Sequence, residues 1–277
     1  MNSLLHLTRS AGRHAILVLT SIFALLPFIW MISLSLKSPG EMFQSAFSLW
    51  PEHFTAVENY AQAFTSAPLL RFLLNGVFVC VAILVVQLAI CAPCAYALAK
   101  LRFRGSEGFF ALVLVALFIP HQVLALPLFI LCYKLGILNS YAALVLPFIV
   151  SPFGIFLLRQ FFKAIPDDIV HAARLDGVSE FGIVWRIMMP MSMPAVTAFA
   201  IFSAVSHWND LFWPMIVITS ERFMPPSQGI VAFHNGELGI QYGPLMAGAV
   251  MIVAPLLCAF LFAQRKFIAG LTLGGVK

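Results

Sequence analysis

Three stretches of this 277-residue chain carry residue types at spacings that could do chemistry. His207-Trp208-Asn209-Asp210 sets an imidazole, an amide and a carboxylate within four positions of an otherwise uncharged run. Such groups can line a path for a proton, an ion or a polar solute, and they can equally anchor one helix to its neighbours by hydrogen bonds. The sequence leaves both roles open. Cys91-Ala92-Pro93-Cys94 has the spacing of a dithiol redox pair. Yet all five cysteines (Cys80, Cys91, Cys94, Cys132, Cys258) fall inside strongly apolar runs, where a thiol reads as a small hydrophobe. The third stretch, 164–193, offers a surface rather than a nucleophile.

Other chemistry is absent. None of the six lysines follows a glycine, so the phosphate-cradling G-x-x-x-x-G-K-[ST] pattern is missing. His-Glu-x-x-His and Gly-x-Ser-x-Gly are missing too, and the seven histidines are scattered. The sequence therefore predicts no catalytic residue, no metal set and no cofactor in this chain. If ATP drives it, another chain binds the ATP.

The elements that must position these residues follow from the charges. The chain is 61% apolar and only 10% charged. A soluble domain is about a quarter charged, so a cytosolic enzyme, a disordered protein and a secreted disulfide scaffold are excluded. Six charge-free runs (15–36, 72–99, 108–133, 135–158, 187–209 and 238–264) reach the roughly 20 residues that a helix needs to cross hydrocarbon. Backbone satisfaction in lipid makes them helices. The fold predicted is all-α and polytopic: one transmembrane domain over 1–277, with spans at about 15–36, 72–99, 108–133, 138–160, 194–219 and 241–264. The first run is too long for a cleavable signal and reads as a retained anchor.

With six spans both termini share a side. That side receives 12 of the 16 lysines and arginines, which makes it cytoplasmic by the positive-inside rule. The basic balance is thus a topology signal, and nucleic acid is not an expected partner. Only Asp210 among the acids is left within the membrane, about 24 Å along a helix counted from Pro194 at about 1.5 Å per residue. His207, one turn back, would be its local partner.

Between spans four and five lies the one large cytoplasmic element, 164–193. Pro166 at a first helical position and Asp167-Asp168 in the first turn predict a helix start. Ile169, Ala172 and Ala173 share a face, Gly177 is placed as a left-handed terminator, and Ser179 can cap a second short helix ending before Pro190. Two alanines on an exposed side would let another protein's backbone approach closely. The competing reading, a helix flat on lipid headgroups, calls for bulkier apolar residues and more basic ones. Outside, 37–71 and 220–237 are long enough to be ordered loops as well as plain connections.

His171-Ala172-Ala173, three residues, Gly177, nine residues, then Ile187-Met188-Met189-Pro190 resembles the EAA loop of ABC-importer permeases. That loop reads Glu-Ala-Ala, three residues, Gly, nine residues, Ile-x-Leu-Pro; here His171 stands for the glutamate and Met189 for the leucine. Trp208-Asn209-Asp210-Leu211-Phe212-Trp213-Pro214, Phe103-Arg104-Gly105 and the terminal Gly270-Leu271-Thr272-Leu273-Gly274-Gly275-Val276-Lys277 are similar to signatures of MalG-like permeases of the carbohydrate branch. The resemblance covers nearly the whole chain.

It implies a type I ABC importer permease fold in a bacterial inner membrane, carrying a sugar or related solute. The implied partners are a cytosolic ABC ATPase dimer that binds ATP and Mg, a second and different permease subunit, and an extracytoplasmic solute-binding protein. His171, Ala172, Ala173, Asp176, Gly177, Ile187 and Pro190 would dock the ATPase, with Gly270, Gly274, Gly275 and Lys277 as a second contact. Residues 223–242, with Pro225, Pro226, Gln228 and Gly229, would form a release loop reaching the binding protein. His207, Asn209 and Asp210 would line the path or anchor the bundle. The alternative is an ion-coupled secondary transporter or channel subunit, which should bury several ionisable groups; Asp210, His121 and His207, with Gln87 and Gln122, are what the spans contain.

Overall fold

The computed structural model describes residues 2–42, 48–231 and 241–273, with side chains over 12–42, 48–231, 241–262 and 264. Among them the chain is helical almost throughout. The helices are α1 (Asn2–Ser35), α2 (Ala56–Ser66), α3 (Leu69–Lys100), α4 (Ser106–Ala116), α5 (Ala125–Lys134), α6 (Tyr141–Val145) and α7 (Pro152–Ala164). After them come α8 (Asp167–Leu175), α9 (Glu180–Ile183), α10 (Met189–Met191), α11 (Met193–Trp208), α12 (Phe212–Val217), α13 (Pro226–Gly229) and α14 (Tyr242–Leu273).

The charge-free runs fold in two ways. Gly12–Ser35, Leu69–Lys100 and Tyr242–Phe262 are single helices long and apolar enough to cross a membrane. Their side chains largely face outward; Phe23 is 79% exposed, which hydrocarbon tolerates and water would not. The other runs are bent pairs: Ser106–Ala116 with His121–Lys134 at 93°, Tyr141–Phe148 with Pro152–Ala164 at 45°, and Glu180–Met191 with Met193–Trp208 at 85°. Counting each pair as one span gives six.

The unbroken helices expected over the third, fourth and fifth spans are therefore replaced by broken ones, and the reasons are local. Pro120 follows the end of α4, where a missing N–H and a bulky ring prevent continuation. Pro152 opens α7 behind Ser151, whose side chain accepts from the Gly154 N–H at 3.1 Å. The 85° bend of the fifth pair falls at Ser192, ahead of Pro194, and the run breaks a second time where α11 stops at Trp208 and α12 restarts at Phe212, with the Asp210 carboxylate accepting from the Trp213 N–H at 3.3 Å. Pro93 and Pro255, by contrast, sit inside continuous α3 and α14.

The chain divides into two compact units, Met1–Leu69 with Ile230–Val253, and Leu70–Gly229 with Ala254–Lys277. In the first, the segment after α1 is held by buried polar contacts. Glu41 accepts from the backbone N–H groups of Glu52 and His53 at 2.9 and 2.8 Å, and Asn59 donates to the Ser35 and Lys37 carbonyls at 2.9 and 3.0 Å. The 37–71 connection is thus an ordered element over its described residues.

The second unit has two apolar cores. One gathers Tyr96, Leu158, Phe162, Val170, Ile183 and Met188, and the other Ile83, Leu144, Trp213 and Ile218. α3 contributes to both, and its 32 residues are one uninterrupted rod about 48 Å long.

Candidate functional site

The 164–193 stretch folds into a knob whose every turn is closed by a local signal. Pro166 is the N-cap of α8 and not its first turn, so the helix begins one residue later than the sequence suggests, at Asp167. At the far end the Val178 N–H bonds the Ala173 carbonyl and the Gly177 N–H bonds the Arg174 carbonyl, both at 3.0 Å. That pair of bonds needs a left-handed residue after the cap, and Gly177 supplies it at φ 76°. Ser179 caps α9 through the Gly182 N–H at 3.2 Å. A π-helical turn, Val184–Met188, follows; Pro190 has no N–H for the Arg186 carbonyl, and the wider turn relieves its ring.

Two clamps fasten the knob to the C-terminal end of α3, one through the Lys100–Asp167 ion pair and one through the Tyr96 hydroxyl on Glu180. Lys100 donates to the Asp167 carboxylate and to the Ile165 carbonyl. Arg174 grips Glu180 with Nε at 2.7 Å and Nη2 at 3.1 Å, and the Tyr96 hydroxyl donates to the same carboxylate. Lys100 holds the Asp167 carboxyl below its usual range, and Arg174 with Tyr96 does the same for Glu180.

Val170 and Ala173 are buried, while His171, Ala172, Asp176, Gly177 and Pro190 are exposed and Ile187 is half-buried. Ala173, expected on the outer side, turns inward at 6% exposure and packs in the chain's own core. Its place outside is taken by Leu175, 89% exposed, and Phe181, 64% exposed. Sequence reasoning missed both, although Leu175 lies four residues after His171 and so shares its helix face. Phe181 also lines a groove of about 610 Å³ with Asp176, Gly177, Trp185 and Arg186.

A second cavity, of about 820 Å³, brings together residues that are remote in sequence: Gln87, His121, His207, Asn209 and Asp210. No ion pair joins His207 to Asp210 among the described residues, and the helix carrying His207 ends before Asp210. Gln87 is fixed at both ends, donating to the Phe148 carbonyl and accepting from Ser203, each at 2.8 Å. Asn209 donates to the Val205 carbonyl, and the Ser227 hydroxyl donates to the Asp210 carbonyl at 2.6 Å.

The residues read as a release loop are not presented at a surface. Pro225, Pro226, Gln228 and Gly229 are all buried. Gln228 donates to the Ile218 carbonyl, Asn75 on α3 donates to the Arg222 and Met224 carbonyls, and a methyl group on Gly229 would lie 2.2 Å from Phe72. The remainder of that loop, 232–240, lies outside the described residues, as do Gly274, Gly275 and Lys277; Gly270 lies within α14. Cys91 and Cys94 are free thiols, Cys91 donating to the Ser151 carbonyl.

Comparison with known proteins is consistent along the chain. A family described as "Binding-protein-dependent transport system inner membrane component" matches residues 89–268. The arabinooligosaccharides transport system permease protein AraQ of Halalkalibacterium halodurans is 37% identical, covering 92% of this chain and 91% of that one. The diacetylchitobiose uptake system permease protein NgcG of Streptomyces coelicolor is 34% identical over 96% of this chain and 88% of its own. Among solved structures, a bacterial ABC transporter involved in the import of the acidic polysaccharide alginate aligns with TM-score 0.82 and 25% identity. The alignment covers 93% of this chain and 96% of that one.

Proposed function

Since the chain belongs to the family of binding-protein-dependent transport system inner membrane components, we propose that it is one membrane half of an ATP-driven importer that accepts a saccharide from an external binding protein. The saccharide class is supported by the relatives, named for arabinooligosaccharide, diacetylchitobiose and lactose transport. A second, different permease chain completes the pathway. The lysine and arginine count supports a cytoplasmic side for both termini and the knob at a bacterial inner membrane. There the knob seats in a cytosolic ATPase dimer, which binds the ATP and Mg; this chain has no lysine in a phosphate-cradling sequence to do so. The tail through Gly270 to Lys277 makes a second contact with the same dimer.

The observation that carries this reading is the knob itself. A helix pair capped at each turn and clamped to α3 by Lys100 and Tyr96 nevertheless leaves Leu175 and Phe181 bare. Exposed large apolar groups on a rigid, polar-rimmed element mark a protein contact. Closure of the ATPase dimer would move the knob, and the clamps would pass that movement to α3 as a rigid body. The equilibrium between pathway states shifts only by the differential affinity of the ATPase for them.

Leu175→Asp tests it in the assembled transporter. Burying such a side chain contributes about 1.5–3 kcal/mol, so ATPase affinity should fall roughly ten- to hundredfold while membrane insertion is unchanged. Unaltered co-purification of the ATPase would remove the docking role. Recovery of the complex from native membranes without any ATPase would return the ion-coupled reading.

A further inference from the structure

Beside the C-terminal end of α3, four cations gather without an anion. Arg102 and Arg104 lie on the exposed turn between α3 and α4, and Arg159 and Lys163 lie one helical turn apart on α7. Arg159 joins the two groups. Its Nε donates to the Leu98 carbonyl of α3 at 3.1 Å, and its guanidinium stacks on the Phe110 ring of α4, 3.6 Å from the centroid. The ion pairs among the described residues are Lys100 with Asp167 and Arg174 with Glu180, so none of the four is neutralised. Of the carboxylates in the adjoining turns, Asp167 is held by Lys100, and Glu107 and Asp168 pair with none of the four.

Depth decides what can reach them. Arg159 lies five residues before Ala164, the end of α7, which sets it about 7.5 Å back along the helix axis. Its guanidinium rests on α4, part of a run apolar enough to cross a membrane. A basic group set back that far from a helix end sits where headgroups meet acyl chains, with its stem in the apolar layer and its charge at the boundary. The neighbouring apolar groups are bare as well. Phe103, between the two arginines of the turn, is exposed, and so are Phe109 and Leu112 on α4. Gly105, at φ 89°, folds the turn so that α4 starts close behind Phe103. An acidic protein or a free phosphate would pair with the arginines but leave these rings uncovered. A phosphate that carries acyl chains meets both demands, since guanidinium forks match phosphate oxygens and the chains cover the phenyl groups.

We propose that the α3–α4 turn and the end of α7 form a binding site for the headgroup of an anionic phospholipid, with Arg102, Arg104, Arg159 and Lys163 around its phosphate and Phe103 among its acyl chains. The site is independent of what the pathway carries. Its occupant ties α3, α4 and α7 together at the end of α3 where Lys100 holds the knob.

The experiment uses the whole complex purified from native membranes and placed in nanodiscs of phosphatidylcholine. The probe is a minor fraction of phosphatidylglycerol that carries a photoreactive group beside its phosphate, and labelled peptides are identified by mass spectrometry. Label should concentrate in 102–110 and 156–163, with label elsewhere on the complex as the internal reference. Arg102→Gln combined with Arg104→Gln removes two exposed cations and should cut that label roughly 25-fold, at about fivefold for each charge lost, with the thermal midpoint unchanged. Arg159→Gln should cut it about fivefold; where that variant fails to assemble, the exposed pair still decides. Equal label from a phosphatidylcholine probe, or label that the double variant leaves unchanged, would mean ordinary contact with surrounding lipid and would overturn the site. Loss of label on adding soluble glycerol 1-phosphate would make the ligand a free phosphate and overturn the lipid. Label seen only after the other subunits are stripped away would give the surface to a protein partner. Recovery of the complex without an ATPase would fail the importer reading and leave this test as it stands.

Discussion

The knob and the cavity are built by opposite uses of the same vocabulary. In the knob, Pro166, Gly177 and Ser179 end helices so that the segment folds back tightly on itself and on α3, leaving two apolar side chains outside. In the cavity, Pro120, Ser151-Pro152 and Asn209-Asp210 end helices so that the polypeptide stands apart and leaves a mostly apolar hollow that Gln87, His121, His207 and Asp210 help to line. Helix stops close a structure when the flanking faces are apolar on one side only, as in α8. They open one when the flanking segments are apolar all round, because those faces have lipid or neighbouring helices to cover them. The first arrangement transmits force; the second makes room.

The largest expected effect tests the cavity side. Gly154 lies in the first turn of α7, beside the second break, and an added methyl would sit 2.7 Å from the Phe199 ring. Gly154→Ala should cost about 1–3 kcal/mol through overpacking of α7 against α11, measured as a lower thermal midpoint in detergent. An unchanged midpoint would mean that the broken spans yield easily, and that the contrast with the knob is false.

Next comes Gly177→Val, which has open space around its side chain but demands φ near 76°. The left-handed strain is about 1–2 kcal/mol and falls on the knob alone. ATPase association should drop while the thermal midpoint of the membrane part barely moves. A large global loss with normal association would show that the knob is part of the bundle's stability and not a separate dock.

Ser179→Ala and Ser151→Ala form a matched pair, each removing one N-cap bond worth about 1 kcal/mol. The first should lower ATPase coupling, and the second should lower uptake with coupling intact. Identical phenotypes would erase the distinction between the two regions.

How much of this was legible depends on the range of the signal. Gly177 and Ser179 were readable because a cap is decided by two or three neighbours, and the motif spacing through Pro190 was readable for the same reason. Ala173 was misplaced because a helix face was assigned without knowing what it packs on; α8 turns Val170 and Ala173 to the core and Leu175 to solvent. The breaks in the third, fourth and fifth spans were written in the same cap residues, Ser151 before Pro152 and Asp210 before Trp213. A count of uncharged residues measures whether a run can cross hydrocarbon, not whether it is continuous, and so it passed over them. Burial of Pro225 to Gly229 against Phe72 and Gly76 depends on contacts about 150 residues apart in sequence and left no local trace.

The smallest effect distinguishes the two regions by pH. Asp167 and Glu180 are both held below their ordinary values of 3.8 and 4.5, Asp167 by Lys100 and Glu180 by Arg174 and then Tyr96. A carboxyl whose folded value is lowered contributes stability that is complete above its ordinary value and is lost as pH falls through the lowered one. Both clamps are therefore intact at pH 7; the Glu180 clamp weakens below about pH 4.5 and the Asp167 clamp only below about pH 3.8. The side chains of Asp167 and Glu180 are 67% and 48% exposed, so solvent screens each pair and the loss is small. Amide exchange, corrected for its intrinsic pH dependence, should speed up in 167–183 between pH 6 and pH 3.5. The amides of 152–164 on α7, which the clamps do not hold, should keep their protection. Equal loosening of both segments would show that the knob is stabilised by burial of Val170, Ala173 and Ile183 and not by its ionic fastening to α3.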